Sequence, residues 1–250
     1  MMLDPGFLTR PIAHRALHDA SAGRPENSRA AVRAAIAAGY GIEIDVLPSA
    51  DGVPMVFHDY RLERLTGVTG TLGANTATGL GAIPLRHGTE GIPTLAEVLD
   101  IVAGQVPVLI EVKDTDIPIG LRVGAVEQAV ADCLAGYAGP VAVMSFNPHS
   151  VAALARFAPD IARGLTVGGP GDSTYAGLPP ARIAALADMD DFDRVGASFI
   201  SHDRELLGRP AVTRLKSRGT PILCWTVRSA VQEQAARQIA DNITFEGYAA

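Results

Sequence analysis

Four clusters in the chain combine residue types that could do chemistry. His14-Arg15 follows the apolar run Pro11-Ile12-Ala13. Glu43 and Asp45 alternate with Ile42, Ile44 and Val46, and His58-Asp59 closes Pro54-Met55-Val56-Phe57. Glu111 and Lys113 close the apolar run 106–112. Burying a charge is costly unless it is paired or binds a metal, so a fold alone has no need of this concentration. On an extended strand, positions 43 and 45 share one face. Two neighbouring carboxylates raise each other's pKa unless a cation neutralises them. Glu111 ends a later strand in the same way. Three carboxylates without a cysteine form a hard oxygen donor set, suited to Mg²⁺, Ca²⁺ or Mn²⁺ rather than Zn²⁺. The alternative is that Glu43 and Asp45 lie on the wet face of an antiparallel strand.

His14 and His58 each sit at an abrupt apolar-to-polar transition. Histidine titrates near neutral pH, so two of them beside a metal could serve as general base and general acid. Each could also be an ordinary surface or capping histidine. Arg15 and Lys113 could hold a phosphate oxygen, one through a planar fork and the other as a point charge, or could simply balance the carboxylates. Trp225, the single tryptophan, fits core packing, or a pocket wall against an apolar part of a substrate. His18, His87, His149 and His202 fall in loops or helix starts and receive no role. Gly168-Gly169-Pro170-Gly171 lacks a P-loop lysine and the dinucleotide spacing, and reads as a turn. No Gly-x-Ser-x-Gly elbow occurs, and neither cysteine has a neighbouring histidine.

The elements that must position these groups alternate regularly. Strands are predicted at 11–13, 41–47, 106–112, 141–146, 163–167, 195–200, 221–227 and 242–245. A short extra strand is expected at 54–58, after the hairpin signal Asp51-Gly52. A helix capped by Asn27 or Ser28 runs to Gly39, and another starts at Thr94, with Glu97 completing a capping box. Further helices are expected at 122–134, from Asn147-Pro148, and at 180–187, 205–216 and 230–239. Seven glycines within 67–91 argue for a loop over one rim rather than a regular element. Strand alternating with helix implies parallel βαβ units. Eight such strands in 250 residues imply an α/β fold of the (β/α)8 TIM-barrel type, read as a single domain over 1–250 with an insertion at about 48–92.

Composition narrows the function classes. With 48% hydrophobic and 19% charged residues, the chain can bury a large core. A net charge of −6 without a basic run argues against a nucleic-acid partner. A small phosphorylated substrate fits, because one arginine and one metal ion can hold it. Cys133 and Cys224 read as buried free thiols of a reducing compartment. No signal peptide is evident in 1–10, and no apolar run reaches the roughly 20 residues of a membrane span. The expectation is a soluble cytoplasmic protein without a membrane anchor.

Taken in order, the motifs resemble the glycerophosphodiester phosphodiesterase family. Its hallmark is His-Arg, a following Glu, then Glu-x-Asp and His-Asp. Here these are His14-Arg15, Glu26, Glu43-x-Asp45 and His58-Asp59. Ile92-Pro93-Thr94-Leu95 with Glu97, Glu111-x-Lys113, Ser145-Phe146-Asn147 and Trp225-Thr226-Val227 extend the likeness over nearly the whole chain. The resemblance implies a barrel with its site at the C-terminal rim. It implies a divalent cation on Glu43, Asp45 and Glu111, a catalytic pair His14 and His58, and substrate contacts from Arg15, Lys113 and Trp225. The implied reaction is hydrolysis of a glycerophosphodiester to glycerol 3-phosphate and an alcohol. Phospholipase D-like hydrolysis of lysophospholipid head groups is the alternative on the same fold, and a non-catalytic barrel that binds a phosphorylated ligand is a third reading. Ala16 stands where the family usually has glycine and Ser28 where it usually has threonine. The 16–25 and 67–91 loops differ from its common form, which bears on substrate preference.

Overall fold

The computed structural model describes residues 1–115 and 119–250. Its strands are β1 Ile12–Ala13, β2 Gly41–Pro48, β3 Pro54–Val56, β4 Val108–Val112, β5 Val141–Ser145, β6 Ala162–Val167, β7 Phe199–Asp203, β8 Ile222–Val227 and β9 Asn242–Phe245. All but β3 pair in parallel, and β1 pairs with both β2 and β9, which closes an eight-stranded barrel. β3 lies antiparallel on β2, with Val46 opposite Val56.

Side chains alternate across each strand, and the barrel shows it. Ile42, Ile44, Ile110, Val143, Ile200 and Ile243 face outward into the shell of helices. Ile12, Leu109, Ala142, Met144, Ala162, Phe199 and Leu223 fill the interior below the site, together with Leu3 and Phe7. Phe7 belongs to the short helix α1, Gly6–Thr9, which plugs the N-terminal mouth. Asn242 holds it there by donating to the carbonyls of Phe7 and Arg10. Gly164 makes room for the interior ring: a Cβ at that position would lie 2.4 Å from the Phe199 side chain.

Local chemistry sets the helix ends. In α2, Arg29–Ala38, Ser28 Oγ accepts from the Ala31 amide and Gly39 closes the helix at φ 75°. The insertion contains α3, Glu63–Thr66, and α4, Ala77–Gly81. The Thr94–Glu97 capping box opens α5, Leu95–Val102. Next come α6, Ala125–Leu134, α7, Pro148–Phe157, and α8, Pro180–Ala187. The last two are α9, Pro210–Ser217, and α10, Ala230–Ala236.

Three expectations need correction. The glycine-rich stretch is not a bare loop. It holds α4 and a 3-10 turn, Leu72–Ala74, and it adds Leu72, Leu80 and Leu85 to a buried cluster with the flanking Leu62, Leu65 and Ile92 and with Leu47, Met55 and Phe57. Each short element contributes about one leucine, so no helical period forms for a sequence reading to detect. The strand expected at 195–200 begins at Phe199. Gly196 sits at φ 62°, a left-handed turn conformation, so Val195 belongs to the turn before the strand. The helix expected at 205–216 is split into a 3-10 turn, Arg204–Leu206, and α9, because Pro210 cannot continue a preceding helix and instead starts a new one. Both cysteines are free thiols, Cys224 buried in β8 and Cys133 partly buried on α6. Burial pushes the Cys224 thiol up to about 12.

Candidate active site

A cavity of about 570 Å³ opens at the C-terminal ends of the barrel strands. Its charged half comes from β1, β2 and β4. Asp45 and Glu111 stand side by side in register, and Glu43 lies two residues back on the same face of β2. All three are buried, and one oxygen from each lies within 4.8 Å of the others. Glu43 accepts from the Arg15 amide at 2.8 Å. Lys113 Nζ lies 2.9 Å from Asp45 Oδ1 and 2.7 Å from Glu111 Oε1, although Glu111 Oε1 receives no well-aligned hydrogen bond. Arg15 Nε is 3.6 Å from Asp45 Oδ2.

One lysine and one arginine do not settle three carboxylates. Burial, reinforced by Asp45 and Glu111, pushes the Glu43 carboxyl well above the usual range. Burial acts on Asp45 in the same direction, but Lys113, His58 and Arg15 together hold it far below that range. Lys113 is driven the other way, upward, by Asp45 and Glu111 against its burial. The surplus of negative charge and the all-oxygen donor set fit a hard divalent cation.

Each histidine has a carboxylate behind it. His14 Nδ1 lies 2.5 Å from Glu246 Oε2. Burial lowers the His14 pKa, and the hydrogen bond to Glu246 only partly offsets this. Arg228 Nε donates to the other oxygen of Glu246 at 2.8 Å. His58 Nδ1 lies 2.7 Å from Asp59 Oδ1. Arg64 on α3 grips Asp59 and reaches across to Glu26, which also accepts from Arg15 at 2.8 Å. An unbroken chain of ion pairs therefore joins the insertion to the acidic triad.

The rest of the lining includes Met144, Phe146, Ser201, Trp225 and Thr244, together with the charged Asp172 and Arg228. Trp225 forms wall rather than core. Its ring meets Phe146 edge-on at 5.6 Å, and its Nε1 donates to the Ser201 carbonyl. All eight residues singled out in the sequence, His14, Arg15, Glu43, Asp45, His58, Glu111, Lys113 and Trp225, line this one cavity.

Sequence reasoning missed several partners. Glu246 lies one residue past the last strand and carries no motif. Its signal was its parity with Thr244, which puts it on the interior face. Asn27 was read only as a helix cap. Its carboxamide instead donates to Asp45 Oδ2 at 2.9 Å and accepts from the Asp45 amide, and its backbone sits at φ 58°. His18, given no role, has Nε2 3.5 Å from Glu246.

The sequence profile of the glycerophosphoryl diester phosphodiesterase family matches residues 14–244. The chain belongs to that family. An uncharacterized protein of Bacillus subtilis (strain 168), YqiK, is 32% identical over 168 residues, which cover 63% of this chain and 66% of YqiK. Glycerophosphodiester phosphodiesterase 1 of Homo sapiens is 41% identical over 73 residues, which cover 28% of this chain and 21% of the human protein. The matched stretches thus span less than two thirds of either relative. Among solved structures, an Oleispira antarctica phosphodiesterase in complex with the product sn-glycerol-3-phosphate superposes with a TM-score of 0.76 at 23% identity, covering 96% of this chain and 93% of that one. The Thermotoga maritima glycerophosphodiester phosphodiesterase superposes with a TM-score of 0.69 at 20% identity, covering 94% and 92%. These neighbours share the family barrel. Among the described residues, no helix is long and apolar enough to cross a membrane.

Proposed function

We propose that residues 1–250 act as one domain, with the insertion at about 48–92 completing the site, and hydrolyse glycerophosphodiesters to glycerol 3-phosphate and an alcohol. The observation that carries this reading is the pairing, in one cavity, of two carboxylate-backed histidines with a buried acidic triad. Glu43, Asp45 and Glu111 hold Mg²⁺, Ca²⁺ or Mn²⁺, which when bound orients the diester and offsets its charge. Arg15 and Lys113 add fixed positive charge for the phosphoryl oxygens.

Both histidines engage their carboxylate through Nδ1, which leaves Nε2 for the substrate. Burial keeps His14 neutral near pH 7, so His14 accepts the proton of the attacking oxygen. That oxygen belongs to water, or to a neighbouring substrate hydroxyl, in which case the cyclic phosphodiester formed is opened by water in a second displacement to give glycerol 3-phosphate. As the attacking oxygen bonds to phosphorus, the bond to the leaving alkoxide breaks, and His58 gives that alkoxide its proton. Trp225 walls the cavity beside these groups.

Release of choline and glycerol 3-phosphate from sn-glycero-3-phosphocholine tests the proposal, assayed with each of the three cations and with a chelator. Cation-dependent turnover is expected. Turnover confined to lysophospholipids would replace the reading with the lysophospholipid one, and binding of glycerol 3-phosphate without turnover of any diester would overturn it.

A further inference from the structure

The loop that follows β1 brings a third histidine, His18, against the carboxylate behind His14. The backbone is fixed on both sides of it. Arg15 and Ala16 sit at φ 51° and 64°, consecutive left-handed conformations that turn the chain sharply. The Ala16 amide donates to the Glu43 carbonyl at 2.9 Å, and the Ala16 carbonyl accepts from the His18 amide at 2.9 Å. Asp19 and Arg24 then exchange backbone hydrogen bonds at 2.7 and 3.0 Å, and Leu17 packs on the barrel core. His18 therefore projects from a closed loop. Its side chain is 26% exposed, and its Nε2 lies 3.5 Å from Glu246 Oε2. That nitrogen is buried and makes no aligned hydrogen bond. Buried polar groups in folded proteins are nearly always satisfied, and the acceptor beside this one is Glu246.

Glu246 is held from three directions. Its amide donates to the Val227 carbonyl at 3.0 Å, which anchors its backbone. Arg228 approaches Oε1 with Nε and Nη2, each at 2.8 Å. His14 Nδ1 and His18 Nε2 share Oε2. Burial alone would raise the Glu246 carboxyl, but the hydrogen bonds of His14 and His18 and the charges of His14 and Arg228 hold it far below the usual range. The Arg228 side chain is more than half exposed, so water competes for that pair. A carboxylate gripped only by Arg228 and His14 can swing with the exposed arginine. His18 adds a third point, mostly out of water, that fixes the carboxylate plane. This bears on His14, because the bond made by one imidazole nitrogen sets the tautomer and direction of the other. Among the described residues, His18 is not part of the cavity lining, so it reaches the substrate only through Glu246 and His14.

Building on the hydrolase reading above, we propose that His18 is a positioning residue, which donates from Nε2 to Glu246 and so fixes the carboxylate that orients His14. The loop 16–25 then serves the reaction by carrying this donor. Its loss disturbs the alignment of His14 Nε2 with the reacting oxygen and leaves the substrate contacts in place.

The test is a double-mutant cycle on hydrolysis of sn-glycero-3-phosphocholine by the cation-loaded full chain. His18→Ala is expected to lower kcat about tenfold and to leave KM within about twofold, the pattern of a group that acts on the transition state and not on binding. In a Glu246→Ala background, where the shared acceptor is gone, the same substitution is expected to cost less than about twofold, since residues that act through one another are not additive. The amide of Gln places a donor where Nε2 stands, and that of Asn where Nδ1 stands. His18→Gln is therefore expected to retain more activity than His18→Asn, a comparison that holds even if His18→Ala does not fold. Equal losses in the two backgrounds, an unchanged kcat in His18→Ala, or Asn outperforming Gln would each overturn the role of His18 while leaving hydrolysis by the wild type intact. A wild-type chain inert toward every glycerophosphodiester would overturn the underlying hydrolase reading, and this inference with it.

Discussion

Arg64 Nε lies 2.6 Å from Asp59 Oδ2, and Nη2 of the same guanidinium lies 2.8 Å from Asp59 Oδ1. Two further bonds at 2.8 Å run from Arg64 to the two oxygens of Glu26. Asp59 in turn holds His58. The insertion thus delivers His58 to the barrel through one planar fork that engages two carboxylates at once. Lysine is a point charge and cannot reproduce this geometry. Arg64→Lys is expected to keep the fold and lower kcat roughly tenfold or more, with a smaller change in KM. Steady-state kinetics and a thermal melt on the same sample check this. A rate loss matched by a large loss of melting temperature would mean that Arg64 merely staples the insertion.

Cation binding should register without any turnover. Burial and the neighbouring carboxylates raise the Glu43 carboxyl, so without a cation Glu43 retains a proton to higher pH than an ordinary carboxyl. Binding releases that proton, and affinity falls as the pH is lowered. Calorimetric titration with Mg²⁺, Ca²⁺ or Mn²⁺ in buffers of different ionisation enthalpy measures the release. A cation at about a hundred times its Kd adds ~2.7 kcal/mol of stability, roughly 5–10 °C in Tm for a chain of this size. Glu111→Gln should remove most of that shift. A full shift in the variant would exclude Glu111 from the site.

How much of this was legible in the sequence follows the physics of each signal. The barrel was readable because β2 and β4 to β9 each end in a turn or a capped helix, and Ser28, Thr94 and Asn147 announce those helices chemically. The acidic triad was readable because Glu43 and Asp45 interrupt an apolar strand at a spacing of two, and Glu111 repeats the pattern. The polar groups that hold the site in place were not. Glu246, Asn27 and Arg64 act across 232, 18 and 38 positions of chain on their distant partners His14, Asp45 and Glu26. Each resembles an ordinary surface or capping residue until the chain folds. The insertion core was hidden for a different reason: its leucines are spread over elements too short to show a period.

Stability should fall on acidification for a reason that can be localised. His202 is fully buried on β7. Burial lowers its pKa against a weaker upward pull from the hydrogen bond to the Asp203 carbonyl and the Asp203 charge, while Arg209 adds a small lowering. His14 is lowered too. Unfolded histidine takes up its proton near pH 6.5, while these two resist it. Between the unfolded and folded pKa values the unfolded chain binds more protons, so stability is complete above about 6.5 and is lost as the pH falls through that window. Each histidine contributes at most ~1.4 kcal/mol per pH unit there. The melting temperature should therefore drop between pH 7 and pH 5, and His202→Leu should make that drop shallower. An unchanged slope in the variant would place the acid sensitivity elsewhere.

Glu246 offers a test of how His14 works. Its hydrogen bond and charge raise the His14 pKa against burial, and it holds Nδ1 at 2.5 Å. In Glu246→Gln the charge is gone, burial dominates, and the His14 pKa falls further. A residue acting as a base must be neutral to work, so the acid limb of the kcat/KM profile should move to lower pH. The plateau should fall about ten- to a hundredfold as the ring loses its fixed orientation, no more than the low end of the ~10²–10⁴ that general acid–base catalysis supplies. If His14 instead worked as the proton donor, the alkaline limb would be the one to move to lower pH. Because the two roles displace different limbs, a single pH–rate series on this variant assigns the base.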